Sequence, residues 1–162
     1  MSEKRAQKLE LTRDGFYQDA KISGFGEREV DFSGMGKSIS NQYANHREVV
    51  CVEACRTPYG RVGGVLKSYN APQLGALAIK EIMDRMGDTL KPEDVDYVFM
   101  GQVVTAGSGQ IPGRQAAILA GLPESVPCIT VNKVCSSGIK TVDQGAQMIQ
   151  LGRAEVVVAG GQ

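Results

Sequence analysis

The stretch Val131-Asn-Lys-Val-Cys135-Ser-Ser-Gly-Ile-Lys140 joins two regions of different texture. Ahead of it, V-P-C-I-T-V (Val126–Val131) is a short run rich in β-branched residues, the pattern of a buried strand. Behind it, from about Cys135 to Leu151, the apolar residues Ile139, Val142, Ala146 and Ile149 recur along one side of a helix. Gly152 sits where a left-handed cap belongs. The junction is a strand-to-helix turn that carries a thiol, and a chain built from such turns is an α/β protein.

The same alternation runs from Glu48 to the end of the chain. E-V-V-C-V-E-A (Glu48–Ala54) reads as a first strand, closed by Pro58 and the glycines Gly60, Gly63 and Gly64. A helix follows, with Asn70 as cap, Pro72 in its first turn, Leu74, Leu77, Ala78, Ile82 and Met83 on its apolar side, and Gly87 as its stop. V-D-Y-V-F-M-G (Val95–Gly101) is the second strand. A glycine-rich loop then enters a short alanine-rich helix that Gly121 and Pro123 close. After the third strand and the Cys135 helix, E-V-V-V-A (Glu155–Ala159) is the last strand. Parallel neighbours need long connections, and strands apolar on both faces need cover on both. The expected architecture is therefore a mostly parallel sheet of four strands with helices on both faces. Residues 1–47 are polar and glycine-punctuated, without a sustained apolar period, and are expected to form an N-terminal extension, a docking arm or a mobile tail.

Composition narrows the function classes. Eighteen basic and 18 acidic residues cancel, so overall charge points to no nucleic-acid or membrane partner. No apolar stretch approaches the roughly 20 residues that span a bilayer, and the N-terminus lacks the apolar core of a secretory signal, so a cytoplasmic protein is expected. Of the four cysteines, Cys51, Cys55 and Cys128 lie in or beside apolar runs, where reduced cysteine acts as a small hydrophobe. Cys51 and Cys55 have no second cysteine pair to complete four convergent ligands, and no metal site is expected.

In parallel sheets, ligands bind beyond the carboxyl ends of the strands. Gly107-Ser-Gly109-Gln-Ile-Pro-Gly113 is one candidate junction, but its third glycine falls one place late for a dinucleotide fingerprint and Pro112 removes an amide. It reads as a loop chosen for tight packing. A nicotinamide module also needs an acidic residue at the end of the second strand, where Gln102 stands. Cys135 is the stronger candidate: unpaired amides and the macrodipole at a helix start favour an anion, and the thiolate is the nucleophile. Ser136, Ser137 and Gly138 keep the first turn narrow enough for an acyl group on the sulfur, with an amide aimed at its carbonyl oxygen.

V-N-K-V-C-S-S-G-I-K resembles the nucleophile motif of the thiolase family: asparagine, two residues, cysteine, two small residues, then glycine, an aliphatic and a basic residue. A-C-R-T-P-Y-G-R (Ala54–Arg61), L-G-A-L-A-I-K-E (Leu74–Glu81), the segment Gly101–Pro123 and A-E-V-V-V-A-G-G (Ala154–Gly161) fit the same family in the same order. The resemblance implies an incomplete, N-terminal half of a thiolase fold and gives Cys135 the role of catalytic nucleophile. It implies acyl transfer from acyl-CoA through a cysteine thioester, with Claisen condensation of acetyl-CoA or thiolysis of a 3-ketoacyl-CoA, the chemistry of fatty-acid metabolism. Coenzyme A thioesters are then substrates, no cofactor is needed, and the intact enzyme is expected to be a homodimer or homotetramer. Arg114 and Gln115 match family positions near the subunit interface and are not expected to be catalytic. The family's activating histidine and second catalytic cysteine come from a later half, and neither motif occurs in these 162 residues, whose single histidine is His46. The expectation is a stretch of a longer thiolase that is inactive alone; the alternative is a short noncatalytic subunit or dimerisation partner.

Overall fold

A computed structural model describes residues 47–162 together with two short strands nearer the N-terminus, β1 (Lys21–Ser23) and β2 (Glu29–Asp31). The chain divides into two units, Met1–His46 and Arg47–Gln162. In the first, β1 and β2 pair antiparallel with Ile22 opposite Val30. The expected extension falls on this unit, most of which, including His46, lies outside the described residues.

In the second unit, α1 spans Ala71–Met86. Asn70 accepts from the Gln73 N–H while Gln73 accepts from the Asn70 N–H, at 3.0 and 2.9 Å, so two donors at the helix start are satisfied reciprocally. Gly87, at φ 52°, ends the helix as expected. Its buried side carries Pro72, Gly75, Ala76, Ile79 and Met83, while Leu77, assigned to that side from spacing, is 45% exposed.

Three strands form an all-parallel sheet with β3 (Tyr97–Gly101) central, β4 (Cys128–Val131) on one side and β5 (Val157–Gly161) on the other. Val98 stands opposite both Cys128 and Val158. Helix α2 (Pro112–Leu119) connects β3 to β4, and α3 (Ser137–Gln150) connects β4 to β5. Strand side chains alternate between faces, and each face receives a helix layer. Val98, Met100 and Val158 pack with Ile79 and Met83 of α1 and with Ala116 and Ala117 of α2. On the other face, Val157 and Ala159 lie against Gly145 of α3. Removing side chains such as Val98, Met100 and Ile79 from water contributes about 1.5–3 kcal/mol each.

The structure corrects two expectations. Glu48–Ala54 makes no ladder, and Val50 and Val52 are 66% and 68% exposed. Alternating β-branched residues express a local preference, whereas a strand needs a partner edge, and this segment is instead tethered by side chains. Glu53 meets the Arg85 guanidinium at 3.4 Å, and the Cys55 thiol donates to the Ala78 carbonyl at 3.2 Å. The sheet therefore has three strands in place of four. The second correction concerns α3, whose buried residues are Ser137, Thr141 and Gly145, while Ile139 and Val142 are 79% and 57% exposed. Close approach between helix and sheet demands small residues. A Cβ on Gly101 would lie 2.8 Å from Ser137 Cβ, and one on Gly145 3.0 Å from Val157 Cγ1.

Candidate active site

Three polar amides mark the carboxyl edge of the sheet: Gln102 directly follows β3, Asn132 follows β4 and Gln162 follows β5. Gln162 Nε2 donates to Gln102 Oε1 at 2.9 Å. Gln102, only 3% exposed, uses its Nε2 to hold Val104 O at 2.7 Å and Ser108 Oγ at 2.8 Å. Asn132 Nδ2 donates to Val103 O at 2.9 Å. The loop between β3 and α2 is thereby fastened from β3 and from β4. Read singly, Gln102 is only a position without charge; its sequence signal is an amide at each of three strand ends.

Within that loop Gly107 and Gly109 have φ of 76° and 77°, which glycine adopts without strain. Gln115 Nε2 holds the Ser108 and Gln110 carbonyls at 2.7 and 2.9 Å. Gly113 donates its N–H to Thr130 Oγ1 at 2.8 Å, and a Cβ there would come within 3.0 Å of Met100 Cβ. Tight packing thus accounts for Gly113, while positive φ accounts for Gly107, where an added Cβ would meet nothing within 4 Å. Arg114 donates to the carbonyls of Glu124 and Val126, at 3.0 and 3.4 Å. Arg114 and Gln115 hold backbone and do not touch Cys135.

Cys135 is exposed and lies one residue before Ser136, the N-cap of α3, so the helix starts slightly later than its spacing implied. Val134, before it, is left-handed at φ 50°, a conformation that costs a β-branched residue about 1–3 kcal/mol and persists only where the surroundings impose it. Ser137 supplies one constraint. Its buried hydroxyl donates to Val134 O at 2.6 Å and accepts from the Lys133 N–H at 2.9 Å. The Ser136 and Ser137 amides close two overlapping turns onto Lys133 O and Val134 O, both at 3.1 Å. The next amides, of Gly138 and Ile139, have no hydrogen-bond partner among the described residues, as is usual in the first turn of a helix.

The four thiols are unpaired and differ in setting. Burial pushes the Cys128 thiol up, against the pull of the Arg114 guanidinium, and its Sγ donates to Val126 O at 3.3 Å. Burial likewise raises Cys55. Both are held toward the neutral, unreactive thiol. No side chain among the described residues hydrogen-bonds the Cys135 sulfur, so this exposed thiol has no neighbouring base among them.

Residues 49–162, more than half of the chain, match the family model described as thiolase, N-terminal domain. The chain belongs to the thiolase family. It is 57% identical over 115 residues to an acetyl-CoA acetyltransferase of Cupriavidus necator, covering 71% of this chain and 29% of that protein. An acetyl-CoA acetyltransferase of Schizosaccharomyces pombe is 55% identical over 114 residues, 70% of this chain and 28% of the relative. A Gibberella zeae relative, named as a cytosolic acetyl-CoA acetyltransferase, is 52% identical over 118 residues, 73% of this chain and 29% of its own length. The chain thus spans less than a third of the curated thiolase relatives it matches. No helix among the described residues is long and apolar enough to cross a membrane.

Proposed function

We propose that this thiolase-family chain supplies the acyl-accepting cysteine of an acyl-CoA acyltransferase, with Cys135 as nucleophile. The observation that carries it is the placement of Cys135: exposed, on a left-handed turn at the start of α3, beyond the carboxyl edge of a parallel sheet. The Cys135 sulfur attacks the thioester carbonyl of an acyl-CoA; the bond to coenzyme A breaks, its thiol leaves with a proton, and an acyl-S-cysteine remains. The α-carbanion of a second acyl-CoA then attacks that acyl carbon, and the Cys135 thiolate departs. Acetyl-CoA would give acetoacetyl-CoA, and the reverse direction is thiolysis of a 3-ketoacyl-CoA.

Condensation needs a proton acceptor within hydrogen-bond reach to form the α-carbanion, and none adjoins Cys135 among the described residues, whereas acylation of the sulfur can proceed slowly with water taking the thiol proton. The chain alone is expected to be acylated at Cys135 and not to condense acetyl-CoA at a measurable rate. The names of the relatives support acetyl-CoA as substrate, and the word cytosolic in one of them supports a cytoplasmic setting. A homodimer or homotetramer of the intact enzyme is the assembly we expect. Incubating the chain with acetyl-CoA and mapping acetyl groups by peptide mass spectrometry tests the assignment. An acetyl group on the Cys135 peptide, absent in Cys135→Ala, is expected; none there, or equal acetylation of Cys51, would overturn it.

A further inference from the structure

We infer that Asn132 is a positioning residue for Cys135, holding the strained Val134 turn that presents the thiol. The inference rests on the nucleophilic role proposed for Cys135, and adds the residue that makes that role geometrically available. Asn132 acts through both ends of its amide. Its Oδ1 accepts the Val134 N–H at 3.0 Å, an Asx-type turn in which the side chain replaces a backbone acceptor. Its Nδ2 donates to Val103 O at 2.9 Å, tying that turn to the loop after β3. A ladder bond from the Gln102 N–H to Val131 O, at 2.9 Å, fixes the strand end from which Asn132 projects.

Val134 is the residue on which the presentation of Cys135 depends. It is β-branched, left-handed and 63% exposed, so apolar packing does little to hold it there. Its carbonyl is held by Ser137 from the α3 side, and its N–H by Asn132 from the β4 side. Ser137 belongs to the helix and keeps its grip wherever the helix forms. Asn132 is the contact that selects the sign of φ, because the amide it captures is the one that turns over when Val134 relaxes. Relaxation of Val134 to its preferred region would redirect the backbone that enters Cys135, and with it the Cα–Cβ bond that carries the thiol.

The test uses the full chain and a small alkylating agent, iodoacetamide, with labelling of Cys135 and of exposed Cys51 at one fixed pH followed by peptide mass spectrometry. Wild type is expected to label faster at Cys135 than at Cys51. Asn132→Ala is expected to slow Cys135 about fivefold relative to Cys51. Asn132→Ser, whose hydroxyl makes the same turn to the amide two residues on, is expected to restore the rate to within about twofold. Urea denaturation of each variant separates positioning from folding. If Asn132→Ala leaves the Cys135 rate at that of wild type, or if Asn132→Ser fails to rescue a variant that remains folded, the inference is overturned. Failure of wild type itself to label Cys135 faster than Cys51 would instead strike at the nucleophilic role of Cys135.

Discussion

Thr141 is fully buried and polar, and it does at one position what a wider apolar contact would do elsewhere. Its hydroxyl lies 2.6 Å from Gly138 O in its own helix and 2.9 Å from Gly160 O in β5. One proton can serve only one acceptor fully, so the two carbonyls share it. Thr141→Val keeps the shape and removes the donor, leaving both carbonyls without it at a fully buried position. A loss of about 1–3 kcal/mol in urea denaturation is expected, against a few tenths for Lys80→Ala, whose ion pair with Asp84 is exposed. Equal losses would mean that the hydroxyl does not join α3 to the sheet. No signal local to Thr141 announces this role, because a threonine inside a helix more often faces solvent. The strand-to-helix junction around Cys135 was legible by contrast, since the apolar run that ends at Val131 and the helical segment behind it flank the turn in the sequence itself.

At the scale of elements, the parallel strands β3, β4 and β5 were visible because each is a short apolar run between turn residues, and α1 because Asn70, Pro72 and Gly87 state both of its ends. The expected strand at Glu48–Ala54 and the expected apolar stripe of α3 failed for a common reason: period reports which residues like to be buried, not which face a neighbour occupies. Where helix and sheet approach at Gly101 and Gly145, small residues replace the stripe. Asp96 shows a further element-level device. Its carboxylate accepts from the Glu155 N–H at 2.7 Å and from the Val156 N–H at 3.0 Å, pinning the entry to β5 beside the start of β3. These amides, Glu155 first, hold the Asp96 carboxyl below its usual value. A depressed native value means stability that is present above the unfolded value near 3.9 and lost as pH falls through the native one. Asp96→Ala is expected to cost about 1 kcal/mol at pH 7, after allowing for solvent screening, and almost nothing in acid below the native value. Urea midpoints at the two pH values check this; a difference from wild type that persists undiminished in acid would exclude the carboxylate as its source.

For the Arg47–Gln162 unit as a whole, one face of the sheet is well filled and much apolar surface elsewhere is not. A cleft of about 450 Å³ opens between α1 and β5, lined by Leu74, Ile79, Ile82 and Val158, with Cys55 and Arg56 at its rim. On the opposite side, Ile139 and Val142 of α3 stand in solvent, and β4 and β5 each pair on one edge only. Open edges and apolar side chains favour association, since each large side chain removed from water contributes on the order of 1.5–3 kcal/mol while exposed strand edges offer unpaired amides. Charge supplies little opposition, because basic and acidic residues cancel. Sedimentation velocity is therefore expected to show a weight-average coefficient that rises with concentration between about 1 and 100 µM. Replacing Ile139 and Val142 together by lysine alters two exposed positions and no core contact, so it should lower that concentration dependence without lowering the urea midpoint. A coefficient independent of concentration in wild type would mean that the apolar side chains of α3 are too dispersed to act as one surface. Dependence unchanged in the double variant would place association at the cleft or at a strand edge.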